Sequence, residues 1–144
     1  MKSLRIIIAG GRDFDNYKIL RSKSLTAITD INKQINQTDK IKRELVTIIS
    51  GAARGADSLG EQFAKEFELT LKQMPAQWEE HGRKAGYLRN AQMADFACED
   101  KDSQGVLIAF WDGKSRGTRH MIDIAIKHGM TICVFDYEGN RIEP

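Results

Sequence analysis

Leu4-Arg5-Ile6-Ile7-Ile8-Ala9-Gly10-Gly11-Arg12-Asp13 is a β-rich run that ends abruptly in paired glycines. Hydrophobicity that continues without alternation reads as a strand covered on both faces, which belongs in a parallel sheet. The same succession of apolar run, glycine turn and helical pattern recurs twice. Leu45 to Ser50 leads into Ser50-Gly51-Ala52-Ala53-Arg54-Gly55-Ala56-Asp57, and Val106 to Trp111 leads into Asp112-Gly113-Lys114-Ser115-Arg116-Gly117-Thr118. All three turns pair glycine with arginine. A helix N-terminus presents unpaired N–H groups and about half a positive charge, so a strand, a glycine turn and a helix make an anion site without a special side chain. The repetition points to a phosphate-bearing small molecule.

Outward from these turns, Leu69 to Met74 and Thr131 to Phe135 complete an expected set of five buried strands. Helical stripes run between them. They cover Tyr17 to Ile35 with Leu20, Ile28, Ile31 and Ile35 on one side; Ala56 to Phe67 with Leu59, Phe63 and Phe67; Arg83 to Ala97; and Ser115 to His128 with Met121, Ile122, Ala125 and Ile126. Strands separated by helices of this length run parallel with right-handed crossovers. The prediction is an α/β fold: a three-layer doubly wound, mainly parallel five-stranded sheet in the order 3-2-1-4-5. Asn36 to Arg43 reads as a solvated loop, Glu99 to Ser103 as a charged turn, and Tyr137 to Arg141 as a turn in a short C-terminal tail. None of these marks a boundary, so residues 1–144 read as one domain.

Composition narrows the function classes. Hydrophobic residues make up 41% and charged residues 29%, ordinary globular usage. No apolar run approaches the roughly 18 residues that span a bilayer, and Ile6 to Ala9 is too short for a secretory core; a cytoplasmic protein without a membrane partner is expected. The net charge of +2 is far from the dense positive surface of non-specific DNA binders, so nucleic acid is not an expected partner. Cys98 and Cys133 read as two buried thiols. His81, His120 and His128 show no ligand spacing with them, and neither a metal nor a resident cofactor is expected.

Open parallel sheets bind ligands beyond the carboxyl ends of their strands, where the strand order reverses. In the order 3-2-1-4-5 that point lies between the first and fourth strands, which end at Gly10 to Asp13 and Asp112 to Thr118. Gly113-Lys114-Ser115 is not a P-loop, because Ile108 stands where that motif needs its first glycine, and Gly10-Gly11 lacks the dinucleotide spacing. A second dense patch starts at Trp78 and continues through Ala85-Gly86-Tyr87-Leu88-Arg89-Asn90-Ala91-Gln92-Met93. There Arg89 and Asn90 offer planar donors to a phosphate or base edge, and Trp78 offers a stacking surface. The candidate ligand-binding residues are therefore Gly10, Gly11, Arg12 and Asp13; Ser50, Gly51, Arg54, Gly55, Ala56 and Asp57; Trp78, Arg89 and Asn90; and Trp111, Gly113, Ser115, Arg116, Gly117 and Thr118.

Read together, these four segments resemble the YspA-type, cpYpsA-related branch of the SLOG superfamily over nearly the whole chain. The resemblance implies a Rossmann-like fold and binding of nucleotides or NAD- and ADP-ribose-derived ligands. Its relatives include the LOG phosphoribohydrolases and the DNA-processing protein DprA/Smf. Arg89-Asn90-Ala91-Gln92-Met93 is similar to the LOG Arg-Lys-x-x-Met helix, whose arginine is catalytic, and Gly117-Thr118 is similar to the Gly-Thr of the LOG phosphate loop. The LOG glutamate three residues after that threonine is here Met121, which moves no proton. Asp57 and Glu61, in the first turns of a helix, are the candidate substitutes.

Three readings follow from the residues and the resemblance. The first is a module that senses or sequesters a phosphorylated nucleotide-like molecule. The second is a LOG-like hydrolase of nucleotide N-glycosidic bonds, with Arg89 neutralising charge and Asp57 or Glu61 moving protons. The third, DprA-like binding of single-stranded DNA, is disfavoured by the lack of a basic stripe with interleaved aromatics. LOG relatives form dimers, so the resemblance also implies a homodimer or a higher homo-oligomer.

Overall fold

A computed structural model describes residues 1–144. Its sheet is built around β1 (Ser3–Gly10), which pairs in parallel with β4 (Ser103–Phe110) along eight positions, from Ser3 opposite Ser103 to Gly10 opposite Phe110. On the other side β1 pairs in parallel with β2 (Val46–Ser50), and β2 with β3 (Thr70–Gln73). Beyond β4 comes parallel β5 (Thr131–Phe135), then β6 (Arg141–Ile142) antiparallel to it. The complete order is β3-β2-β1-β4-β5-β6, which contains the predicted order and adds one strand.

The additional strand arises inside the predicted tail. The Asp136 carboxylate accepts the amides of Glu138 and Asn140 at 2.9 Å each, closing a turn that brings Ile142 back opposite Val134. Two residues are too few to display a period-two pattern. A second departure concerns β3, predicted as buried. It is the sheet edge, with Thr70, Lys72 and Gln73 exposed, because nothing covers the strand beyond it.

Five helices connect the strands: α1 (Tyr17–Asn36), α2 (Ala56–Glu66), the single-turn α3 (Trp78–His81), α4 (Ala85–Cys98) and α5 (Arg116–Lys127). The Asn16 side chain accepts the Ile19 amide and starts α1, and Gln37 in the left-handed conformation ends it. The helix expected from Arg83 begins at Ala85 instead, after a 3-10 turn at Gly82–Lys84. No helix is long and apolar enough to cross a membrane.

Alternation along β1 divides the core in two. Ile6 and Ile8 face α1 and α2 with Leu20, Ile28 and Phe63, while Ile7 and Ala9 face α4 and α5 with Met93, Ala94 and Ile122. The sheet is thus covered on both sides, and removing a β1 isoleucine from water contributes about 2–3 kcal/mol. Cys133 lies in the first of these cores. Cys98 corrects the expectation of two buried thiols: it is the last residue of α4, where the chain leaves the core, and it is exposed.

Candidate functional site

β1 and β4 part at their carboxyl ends because their following helices pack on opposite faces of the sheet. The chain after β1 turns to the α1 side, and the chain after β4 turns to the α5 side. A cavity of about 440 Å³ opens between them. This is the expected topological switch point.

Several glycines there serve packing between loops rather than a ligand. A Cβ on Gly10 would overlap the Phe110 carbonyl. Gly55, with φ of +74°, would drive a Cβ into the backbone of Gly11 and Arg12. The Gly11 carbonyl accepts the Ala56 amide at 3.2 Å and the Phe14 amide at 3.3 Å, so the first two turns lock together.

Two amides of the second turn are occupied, so that turn does not present all its donors bare as expected. Ala52 donates to the Ser50 hydroxyl at 3.0 Å, and Ala53 to the Asp57 carboxylate at 3.2 Å. The amides of Arg12 and Asp13 after β1, and of Arg116 and Gly117 at the start of α5, have no partner within the chain. The α5 turn is braced for this. The Asp112 carboxylate accepts the Lys114 and Ser115 amides at 2.8 Å each, and those bonds hold its carboxyl below the usual carboxylate range. Trp111 Nε1 donates to the Ser115 carbonyl at 3.1 Å, and the Ser115 hydroxyl accepts the Thr118 amide. A Cβ on Gly117 would meet nothing within 4 Å.

Behind the open amides the buried Asp57 carboxyl and the half-buried Arg89 guanidinium both lie against Gly51, without a direct ion pair. Burial pushes the Asp57 carboxyl up to about 6, against the opposing pull of the Arg89 guanidinium and the Ala53 amide. Burial likewise lowers the Arg89 pKa, while Asp57 raises it. Arg89 donates to the Gly51 carbonyl and, at 3.1 Å, to Asn90 Oδ1. Asn90 Nδ2 donates to the Gly117 carbonyl at 3.2 Å and lies 3.1 Å from His120 Nδ1. Burial lowers the His120 pKa, which suits a neutral ring accepting through that nitrogen. Asn90 therefore fastens α4 to the first turn of α5. At the cavity mouth Trp78 is 49% exposed, with the Arg12 guanidinium 5.8 Å from the ring centre.

The structure brings Gly10, Gly11, Arg12, Asp13, Asp57, Trp78, Arg89, Asn90, Ser115, Gly117 and Thr118 to this one cavity. Others lie elsewhere. Glu61 accepts the Ser50 hydroxyl at 2.6 Å and Gln73 Nε2 at 2.9 Å, so Ser50 and Glu61 satisfy each other outside the cavity. Gly51 backs Arg89, Gly55 and Ala56 pack against the β1 turn, and Arg54 lines a shallow adjoining pocket with Arg12 and Trp78. Trp111, Gly113 and Arg116 line a separate groove on the other side of the α5 turn.

Sequence reasoning did not place Arg83, Tyr87, Met93 or Met121 among the ligand-binding candidates, yet all four line the cavity. Gly86, Asn90 and Met93 follow a spacing of four and three within α4, so they share one helical face, and that spacing was the available signal. The position taken by glutamate in the LOG enzymes is filled by buried Met121. Asp57 and Asp13 are the carboxylates in the lining, and Asp13 is engaged by the Tyr137 hydroxyl at 2.5 Å. Such a site can hold an anion on backbone amides, stack an aromatic ring on Trp78 or Tyr87, and move a proton at Asp57.

The family model described as YspA, cpYpsA-related SLOG matches residues 4–81, from β1 through α3. The matched segment holds Gly10 to Asp13, Ser50 to Asp57 and Trp78, and it ends before Arg89. The chain is also similar to the Gene 61 protein of Mycobacterium phage D29, being 36% identical over 95 residues that cover 62% of this chain and 71% of the relative. No solved structure matches the chain.

Proposed function

This chain belongs to the YspA, cpYpsA-related SLOG family, and on that premise we propose that it binds a phosphorylated nucleotide-like small molecule at the carboxyl ends of β1 and β4. One observation carries the reading: the unpartnered amides of Arg12, Asp13 and Gly117 border a single cavity whose mouth bears a half-exposed tryptophan. A phosphate on those amides satisfies donors that otherwise have only water, and the base lies against Trp78 beside the Arg12 guanidinium. Arg83 and Arg89 add positive charge to the same wall. The role is sensing or sequestering the ligand, and the resemblance suggests a nucleotide or an NAD- or ADP-ribose-derived molecule.

The test is titration calorimetry with AMP and ADP-ribose on the wild type and on Gly117→Leu. The added side chain enters open space, so the melting temperature is expected to hold while affinity falls at least about 100-fold, or about 2.7 kcal/mol. Unchanged affinity for both ligands removes the phosphate from this turn.

A second reading is favoured by Asp57. A buried carboxyl held near 6, in the same cavity as Arg89, suits general acid–base chemistry on an N-glycosidic bond. Water then adds to the sugar carbon as its bond to the base nitrogen breaks, with Asp57 taking the water's proton and passing it to the departing base nitrogen, and Arg89 neutralising the phosphate. Chromatography of nucleoside monophosphates incubated with the protein detects released base, and its absence at high protein concentration eliminates hydrolysis. For self-association, neighbouring Tyr87 and Leu88 on α4 are 45% and 42% exposed and supply an apolar contact face. Light scattering on Leu88→Glu tests whether a homodimer uses it.

A further inference from the structure

The turn that follows β5 is absorbed by none of these readings, although it reaches the first glycine turn from the far end of the chain. Aromatic rings form a ladder between the two: Phe135 lies 5.5 Å from Phe110, Phe110 4.9 Å from Phe14, and Phe14 5.0 Å from Tyr137, centre to centre. Phe14 is buried, so packing seats the Tyr137 ring. Bonds from the Glu138 and Asn140 amides to the Asp136 carboxylate fix the backbone on either side of that ring. At the end of the ladder the Tyr137 hydroxyl donates to Asp13 Oδ1 at 2.5 Å. It fills the space beside Gly11, where a Cβ would overlap the hydroxyl oxygen. Burial, and then the bond to Asp13, raises the Tyr137 pKa above that of an ordinary phenol, so the hydroxyl remains a donor at neutral pH.

Asp13 needs holding because of where it sits. It lines the cavity, and its own amide and that of Arg12 are among the donors without a partner in the chain. A carboxylate free to rotate beside those amides repels a phosphate, and it can also turn back and take the amides itself. A hydrogen bond to an ionised oxygen is strong enough to fix its rotamer. Tyr137 is not part of the cavity wall, so it acts through Asp13 alone. We propose that Tyr137 is a positioning residue for anion binding: its hydroxyl pins the Asp13 carboxylate away from the phosphate seat, so the C-terminal turn sets the charge of a site built by β1 and β4. This rests on the reading of the cavity given above.

The experiment is a double-mutant cycle of wild type, Tyr137→Phe, Asp13→Asn and the combined variant, each titrated calorimetrically with AMP and ADP-ribose at one ionic strength. Phenylalanine keeps the ring on Phe14 and removes the hydroxyl, and a thermal melt of each variant confirms that it folds. Tyr137→Phe is expected to bind both ligands about 10-fold more weakly. In the Asp13→Asn background the same substitution is expected to change affinity by less than about 2-fold, because the amide carries no charge to be held away. Simple support of the loop by Tyr137 predicts the same loss in both backgrounds. A loss that persists in the Asp13→Asn background therefore overturns the proposal, as does an unchanged affinity of Tyr137→Phe, and either result leaves the cavity reading intact. A Tyr137→Phe chain that does not fold shows the hydroxyl to be structural and overturns the proposal too. Failure of AMP and ADP-ribose alike to bind the wild type overturns the cavity reading, and this proposal with it.

Discussion

Replacing Asp57 with asparagine is expected to make the protein more stable at neutral pH. The Asp57 carboxyl is raised from 3.8 to about 6 by burial. Between those values the native state keeps a proton that the unfolded chain has released, so stability falls as pH rises through this window and levels off above it. Two units at about 1.4 kcal/mol each give a cost of roughly 3 kcal/mol once the group is ionised. Asparagine escapes that cost and still presents an oxygen to the Ala53 amide, but it removes the negative charge that favours the nearby Arg89 guanidinium. The net gain is expected to be about 1–2 kcal/mol at pH 7.5, or roughly 3–6 °C in melting temperature, vanishing near pH 4. Thermal melts of both proteins at the two pH values measure it. A variant that is less stable at pH 7.5, or a difference independent of pH, refutes the argument that Asp57 is held as a strained ion. Natural sites accept such costs where a group has work to do.

Gly55→Ala places a Cβ against backbone atoms at a φ of +74°, which no rotamer can relieve. A loss of about 3 kcal/mol or more in urea unfolding is expected, and a loss below 1 kcal/mol would show that the two turns are not in close contact. Trp78→Ala removes a half-exposed ring, so stability should change by less than about 0.5 kcal/mol while nucleotide affinity drops about 10-fold. Unchanged affinity in calorimetry discards Trp78 as the stacking surface.

The central strands were legible because Ile6, Ile7 and Ile8 are buried on alternating faces, and an unbroken apolar run permits nothing else. The edge was not. β3 carries Leu71 amid exposed Thr70, Lys72 and Gln73, and its neighbour on one side is solvent, a fact absent from local sequence. The cavity proposed as the site was legible in outline, since the glycine turns after β1 and β4 border it. Glycine alone, however, does not reveal what needs the space: at Gly10 and Gly55 it is another backbone, and at Gly117 it is open volume. Ser50 and Glu61 illustrate the same blindness. Each is polar and close in sequence to the site, yet the two satisfy each other, and only three-dimensional packing decides that.

The pairing of β1 with β4 joins segments one hundred positions apart in the chain, as Ser3 and Ser103 show. Closing a loop of that length costs roughly 4 kcal/mol of chain entropy before any contact returns it. β1 therefore has no complete neighbour on that side until Phe110 has been synthesised. Gly117 emerges later still. On the proposed reading, a partly made or truncated chain would lack the Gly117 side of the cavity, whereas the folded protein would gain stability with every increment in nucleotide concentration, which would make the small molecule a late-acting folding aid as well as a guest.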